Sequence, residues 1–238
     1  MYEDRIAFIS EYCDRWCERC AFTSRCSAYA VEAALAMCDG DLAAAVELAV
    51  GTPPSLDGTR KRSRLTELLT DYDPTEQELA EIDKELEERE ERIDESPLTT
   101  DSKVFSTLSH VCLEKHRESL ELHDDRAVRE ALEIASWDCS FIGPKLHRAL
   151  DGHDEAEHIG RPGEDPVQND WNGSAKVALI SIERSIGAWN TLAETTADAD
   201  AAMIAERLQR LRVDVERAFP NARKFVRPGF DEGPSRGS

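Results

Sequence analysis

Residues 174–191 read SAKVALISIERSIGAWNT, and Val177, Leu179, Ile182, Ile186 and Trp189 recur in that run at steps close to the helical repeat. A strand would sustain an alternation of two, which this run does not. The same periodicity extends in both directions. Upstream, residues 126–142 set Val128, Ala131, Leu132, Ala135 and Cys139 on one face, and residues 101–123 turn Val104, Leu108, Val111 and Cys112 inward. Downstream, Asp198 stands where an N-cap belongs, before a helix carrying Ile204, Leu208, Leu211, Val215 and Phe219. No segment keeps a strand period. The fold class is therefore all-α: a small N-terminal helical, cysteine-rich region plus a C-terminal antiparallel helical bundle over 101–219. Gly143-Pro144 is expected to end one helix, with a short helix to Leu150 after it. Residues 151–172 are expected to form a long loop, and residues 220–238 a flexible tail.

Before the bundle the chain changes character twice. Residues 1–50 read as helical, with Ser27 opening one helix and Asp41 capping another that Gly51 ends. Within them AALAMCDGDLAAAVELAVG (33–51) resembles the last two helices of ubiquitin-associated-type three-helix domains, which implies a helical hairpin there. Residues 51–65 contain prolines, glycines and the basic run Arg60, Lys61, Arg62 and Arg64, and read as a linker. Residues 66–95 form an acidic helix. From Asp71 to Glu95, thirteen acidic residues stand against Lys84, Arg89 and Arg92. Thr75 and Glu78 have the spacing of a capping box, and Leu79, Ile82, Leu86 and Ile93 make one narrow apolar seam. That seam lies against the body of the protein or meets a protein partner.

The net charge of −20 over 238 residues repels nucleic acid and anionic lipid, so neither is expected as a partner. No apolar run reaches the ~18 residues a membrane helix needs, and MYEDRIAFISEY lacks the form of a signal peptide. Seven cysteines, an odd number, fit a disulfide framework poorly and suit a reducing compartment, so a cytoplasmic location is expected.

The chemistry concentrates in CDRWCERCAFTSRC (13–26), which supplies Cys13, Cys17, Cys20 and Cys26. Four thiolates are the ligand set of structural zinc and of iron–sulfur clusters. At about 100° per residue, an α-helix would put Cys17 about 40° and Cys20 about −20° from Cys13, with Cys26 on the far side. A closed site therefore requires the chain to leave the helix between Phe22 and Arg25, where Thr23 and Ser24 favour turns. Arg15, Arg19 and Arg25 supply positive charge beside the thiolates, and Trp16 and Phe22 can shield them. One compact run of ligands favours a [4Fe–4S] cluster, with zinc as the alternative. The Cys13, Cys17 and Cys20 spacing also matches that of radical S-adenosylmethionine enzymes. That motif follows a strand of an α/β barrel, which this chain lacks, and a fourth ligand from Cys26 would fill the iron position the cofactor needs.

Elsewhere, His147, His153 and His158 sit among acids, but a carboxylate-bridged di-iron bundle wants two inward Glu-x-x-His pairs and only Glu155–His158 matches. Lys145, His147, Arg148, Lys176 and Glu183 are candidates to line a polar pocket between bundle helices. No P-loop, GxSxG, HExxH or dinucleotide fingerprint occurs. The expected function is a metal- or iron–sulfur-binding helical protein with an electron-transfer, redox-sensing or structural role. The alternatives are a zinc-stabilised adaptor whose acidic helix binds a protein, and an enzyme using the polar pocket.

Overall fold

The structure is a computed structural model that describes residues 4–51, 74–160 and 163–232. Most of the linker expected at 51–65, its basic run and the start of the acidic segment at 66–73 lie outside the described residues. Seven α-helices are described: α1 Ser27–Met37, α2 Leu42–Val50, α3 Glu76–Asp94, α4 Pro97–Glu121, α5 Arg126–Ile159, α6 Asp170–Thr196 and α7 Ala199–Ala218. Short 3-10 turns occur at Cys17–Arg19, Thr23–Arg25 and Ala222–Lys224, and no strand is found among the described residues. The chain divides into two compact units. One comprises residues up to Glu88 together with Pro228–Phe230, and the other comprises Arg89–Arg227 and the residues from Asp231 onward.

In the second unit α4 packs on α5, α5 on α6, α6 on α7, and α7 closes back on α4. Short connections between α4 and α5 and between α6 and α7 make these neighbours antiparallel. The run that opened the sequence reading is its centre. Along α6 the buried side chains include Val177, Leu179, Ile182, Trp189 and Leu192, and between them lie Ala175, Ala178, Ser181, Ser185 and Ala188. The small residues let neighbouring helices approach α6 closely, so it is buried nearly all round. Phe105, Ile142, Leu146, Ile204, Leu208 and Leu211 complete the core. In α4 the inward face is Phe105, Ser109 and Cys112, whereas Val111 is 64% exposed, contrary to expectation.

Buried charge fixes how α5 and α6 meet. Asp138 is fully buried, and Arg184 grips it with two hydrogen bonds, Nε to Oδ2 at 2.9 Å and Nη2 to Oδ1 at 2.6 Å. Arg207 of α7 similarly reaches Asp101 of α4 at 2.6 Å.

Three sequence expectations are corrected here. First, α5 does not stop at Gly143-Pro144 but runs on to Ile159. An internal proline costs about 3 kcal/mol, but Pro144 faces outward while Ile142, Leu146 and Ala149 on either side are fully buried. Second, residues 151–172 are not one long loop, because helix continues to Ile159 and resumes at Asp170. Arg89 and Arg92 of α3 neutralise this acidic stretch by pairing with Asp151 (2.8 Å), Glu155 (3.1 Å) and Asp154 (2.7 Å). Third, the segment after 219 is not a free tail as far as it is described. Ala222 and Phe225 are buried, and Lys176 holds Asp231 at 2.7 Å while donating to the Phe225 carbonyl at 2.5 Å.

The acidic helix begins as its capping box requires. The Glu78 amide donates to Thr75 Oγ1 at 3.2 Å, and the Thr75 amide donates to Glu78 Oε2 at 2.8 Å. Of its apolar seam only Ile93 is buried, while Leu79, Ile82 and Leu86 are exposed.

Arg184→Ala leaves the Asp138 carboxylate buried without its partner and is expected to lower unfolding free energy by about 3 kcal/mol. The urea midpoint reads this, and a shift no larger than that of a surface Arg→Ala control would show that the pair is not an anchor. A second expectation concerns acid. Burial raises the Asp231 carboxyl, but hydrogen bonds from Arg227 and Lys176 outweigh it and hold the group well below the ordinary carboxylate range. The stabilisation is therefore complete above about pH 4, the ordinary carboxylate value, and is lost as pH falls through the lower folded value. Asp231→Asn is expected to be less stable than wild type at neutral pH and to converge with it in strong acid. A constant gap at every pH would contradict the linkage.

Candidate metal centre

Residues 4–26 are not the α-helix the sequence reading expected; they are a chain of turns with two short 3-10 segments. Phe8 and Arg15 take positive φ (60° and 57°), and either would interrupt a helix. The Asp14 carboxylate accepts the Trp16 amide at 3.2 Å, a local bond that competes with helical pairing. The Cys20 amide donates to the Cys17 carbonyl at 3.1 Å, closing the first 3-10 turn, and the Cys26 amide donates to Thr23 at 3.3 Å, closing the second. The chain thus leaves helical geometry before Phe22 rather than after it, and the shared helix face inferred for Cys13, Cys17 and Cys20 does not exist.

The turns nevertheless bring the four cysteines to one hollow. Cys13, Cys17, Cys20 and Cys26 all line one hollow of about 20 Å³, together with Ile9, Arg15, Trp16 and Phe230. None of the seven cysteines is disulfide-bonded. Two of the four sulfurs accept backbone N–H bonds: Phe22 donates to Cys20 Sγ at 3.4 Å, and Tyr29 donates to Cys26 Sγ at 3.5 Å. Cys26, rather than Ser27, is the N-cap of α1, so its sulfur sits at the positive end of a helix, where anionic ligands are favoured. Arg19 stacks over the Trp16 ring at 4.0 Å. Arg5 braces the wall from behind, donating to the carbonyls of Cys26 (2.8 Å) and Ala49 (3.2 Å).

Burial, the Glu32 carboxylate and then the three neighbouring sulfurs push the Cys17 thiol up. A bound cation would oppose that shift. Among the described residues, no three of these sulfurs fall within 4.8 Å of one another; the one such group of ligand atoms is elsewhere, at Cys112, His116 and Asp198.

One wall of the hollow comes from a residue that sequence reasoning placed in the tail. Phe230 lines it, with Phe22 against Phe230 edge-to-face at 5.1 Å. Phe22 therefore acts one layer out from its expected place. A lone aromatic in a Gly/Pro/Ser-rich terminus carries no sequence signal for this role. Gly229 makes the approach possible: it has φ +77°, and a Cβ there would lie 2.8 Å from Ile6 Cδ1.

Four of the five polar-pocket candidates have a partner of their own. Arg148 pairs with Asp170 at 2.7 Å, Lys176 with Asp231, and Glu183 with Arg223 at 2.6 Å. Lys145 is buried, its Nζ 5.6 Å from the Phe141 ring centre. His147 lines a groove of about 590 Å³ between α4 and α5, with Ser102, Ser106 and Ser140; its one ammonium, Lys103, is held by Asp94 at 2.9 Å. Nor do the three histidines meet: His153 packs edge-on against Trp171 and Phe219, while His158 lies 3.4 Å from Asp154. Cys139 is buried, as expected, its thiol donating to the Ser136 carbonyl at 3.1 Å. Among the described residues no helix is long and apolar enough to cross a membrane. Compared with protein-family models, curated proteins and solved structures, the chain matches none.

Gly229→Val is expected to strain the backbone at a positive φ, at a cost of about 1–3 kcal/mol, and to lift Phe230 from the hollow. Alkylation of Cys13, Cys17, Cys20 and Cys26 in the reduced protein should then accelerate several-fold, as peptide mass mapping would read. Unchanged labelling would mean that Phe230 does not seal the site.

Proposed function

We propose that this protein binds a [4Fe–4S] cluster through Cys13, Cys17, Cys20 and Cys26. The observation that carries the reading is the convergence of four non-disulfide cysteines on one hollow. Two further features support it. N–H donors to Cys20 and Cys26 suit thiolates that keep charge after ligation. Phe230 and Trp16 line the hollow, where aromatic rings can shield a bound group.

The role follows from the unit that holds the site. Among its described residues the fully buried apolar side chains are Ile9, Ala34 and Ala45, while Phe8, Met37, Leu42 and Leu48 are exposed. So small a core gains much from a metal cross-link, and ligation energy becomes folding energy. The cluster holds the unit together. Because its ligands are only half-buried, it is also placed to exchange electrons or to respond to oxidants.

One observation favours zinc instead: a hollow of about 20 Å³ has room for a single water-sized body. On that reading the protein is an adaptor, with the exposed Leu79, Ile82 and Leu86 of the acidic helix as its partner surface.

Purification without air, followed by a visible spectrum and metal analysis, separates the two. The cluster predicts brown protein with about four irons per chain, lost on replacing Cys17 or Cys26 by serine. Colourless protein with one zinc lost by the same variants would overturn the cluster in favour of the adaptor. Protein with neither metal would overturn both.

A further inference from the structure

We propose that Cys112, His116 and Asp198 form a second, mononuclear site for a zinc-type divalent cation, in the bundle and independent of the four-cysteine site. One ligand atom from each residue lies within 4.8 Å of the other two. Cys112 and His116 are four residues apart on α4, so they share a face one turn apart. Asp198 reaches them from the N-cap of α7. Its two oxygens divide the work: Oδ1 accepts the Asp200 amide at 2.9 Å and keeps the cap, while Oδ2 points to His116 Nε2 at 2.5 Å.

A plain ion pair would account for Asp198, His116 and Lys115, but it has no use for the thiol. Cys112 is 4% exposed, and its sulfur stays within 4.8 Å of a ligand atom of each partner. A shared tetrahedral ion would hold thiolate, imidazole and carboxylate each about 2.0–2.3 Å from the metal. Thiolate, imidazole and carboxylate together suit zinc better than calcium or magnesium, which take oxygen ligands. Without metal, burial and the Asp198 charge push the Cys112 thiol up to about 11, so cation binding releases that proton.

Lys115 currently occupies Asp198 Oδ2 at 2.7 Å, but Asp200 offers it a second carboxylate at 3.6 Å. The ammonium, on a half-exposed side chain, can move there as the metal arrives. With three protein ligands the fourth position is left to water.

The test uses the full chain, stripped with chelator and titrated with Zn²⁺ and then Co²⁺, in wild type, Cys112→Ala, His116→Ala and Asp198→Asn. Circular dichroism confirms folding, and Asn at 198 preserves the helix cap, so its effect reports ligation. Wild type should bind one more equivalent than each variant. Subtracting the Co²⁺ spectrum of Cys112→Ala from that of wild type should leave a thiolate-to-cobalt charge-transfer band. Equal stoichiometry in all four proteins would overturn the proposal, as would a lost equivalent in His116→Ala without that band. The four N-terminal cysteines are unchanged throughout, so failure here leaves the cluster reading intact, and failure of the cluster leaves this site intact.

Discussion

Four cysteines lining one small hollow, in a unit whose described residues bury few apolar side chains, set the terms for the rest of the N-terminal structure. Its turns, the positive-φ residues Phe8 and Arg15 and the Arg5 brace bring the four cysteines to that hollow. A unit that leaves Phe8, Met37, Leu42 and Leu48 exposed gains little from hydrophobic burial to offset the ordering of its backbone. The bundle is the opposite case. There α6 is wrapped on nearly every side, and buried ion pairs such as Asp138–Arg184 fix how the helices meet.

The bundle was legible in the sequence because its information is periodic. Val177, Ile182 and Trp189 recur with the helix, and no distant residue is needed to interpret them. What failed there was local punctuation. Pro144 looked like a stop, since its cost is local and visible, whereas the burial of Ile142 and Leu146 that outweighs it belongs to the assembled core. The acidic stretch after Asp151 looked like loop for the same reason: Arg89 and Arg92, some sixty residues earlier, neutralise it.

The candidate site was legible in composition but not in geometry. CDRWCERCAFTSRC named the four cysteines, but the helix break expected between Phe22 and Arg25 has no helix to end, because residues 4–22 are turns and one short 3-10 segment. The helical face assigned to the first three was an artefact of assuming regular structure where Asp14 and Arg15 redirect the chain. Phe230 was invisible because its role depends on a close approach at Gly229. Cys112 and His116 carried a readable four-residue spacing, but Asp198, more than eighty residues on, supplies the third ligand atom.

The central claim, that ligation by the four thiols holds the N-terminal unit together, is tested most directly by amide hydrogen exchange on the full chain before and after removal of its metal. The account predicts that protection across residues 17–37 collapses on stripping, while α6 keeps its slow exchange. Undiminished protection across residues 17–37 in the stripped protein would contradict it.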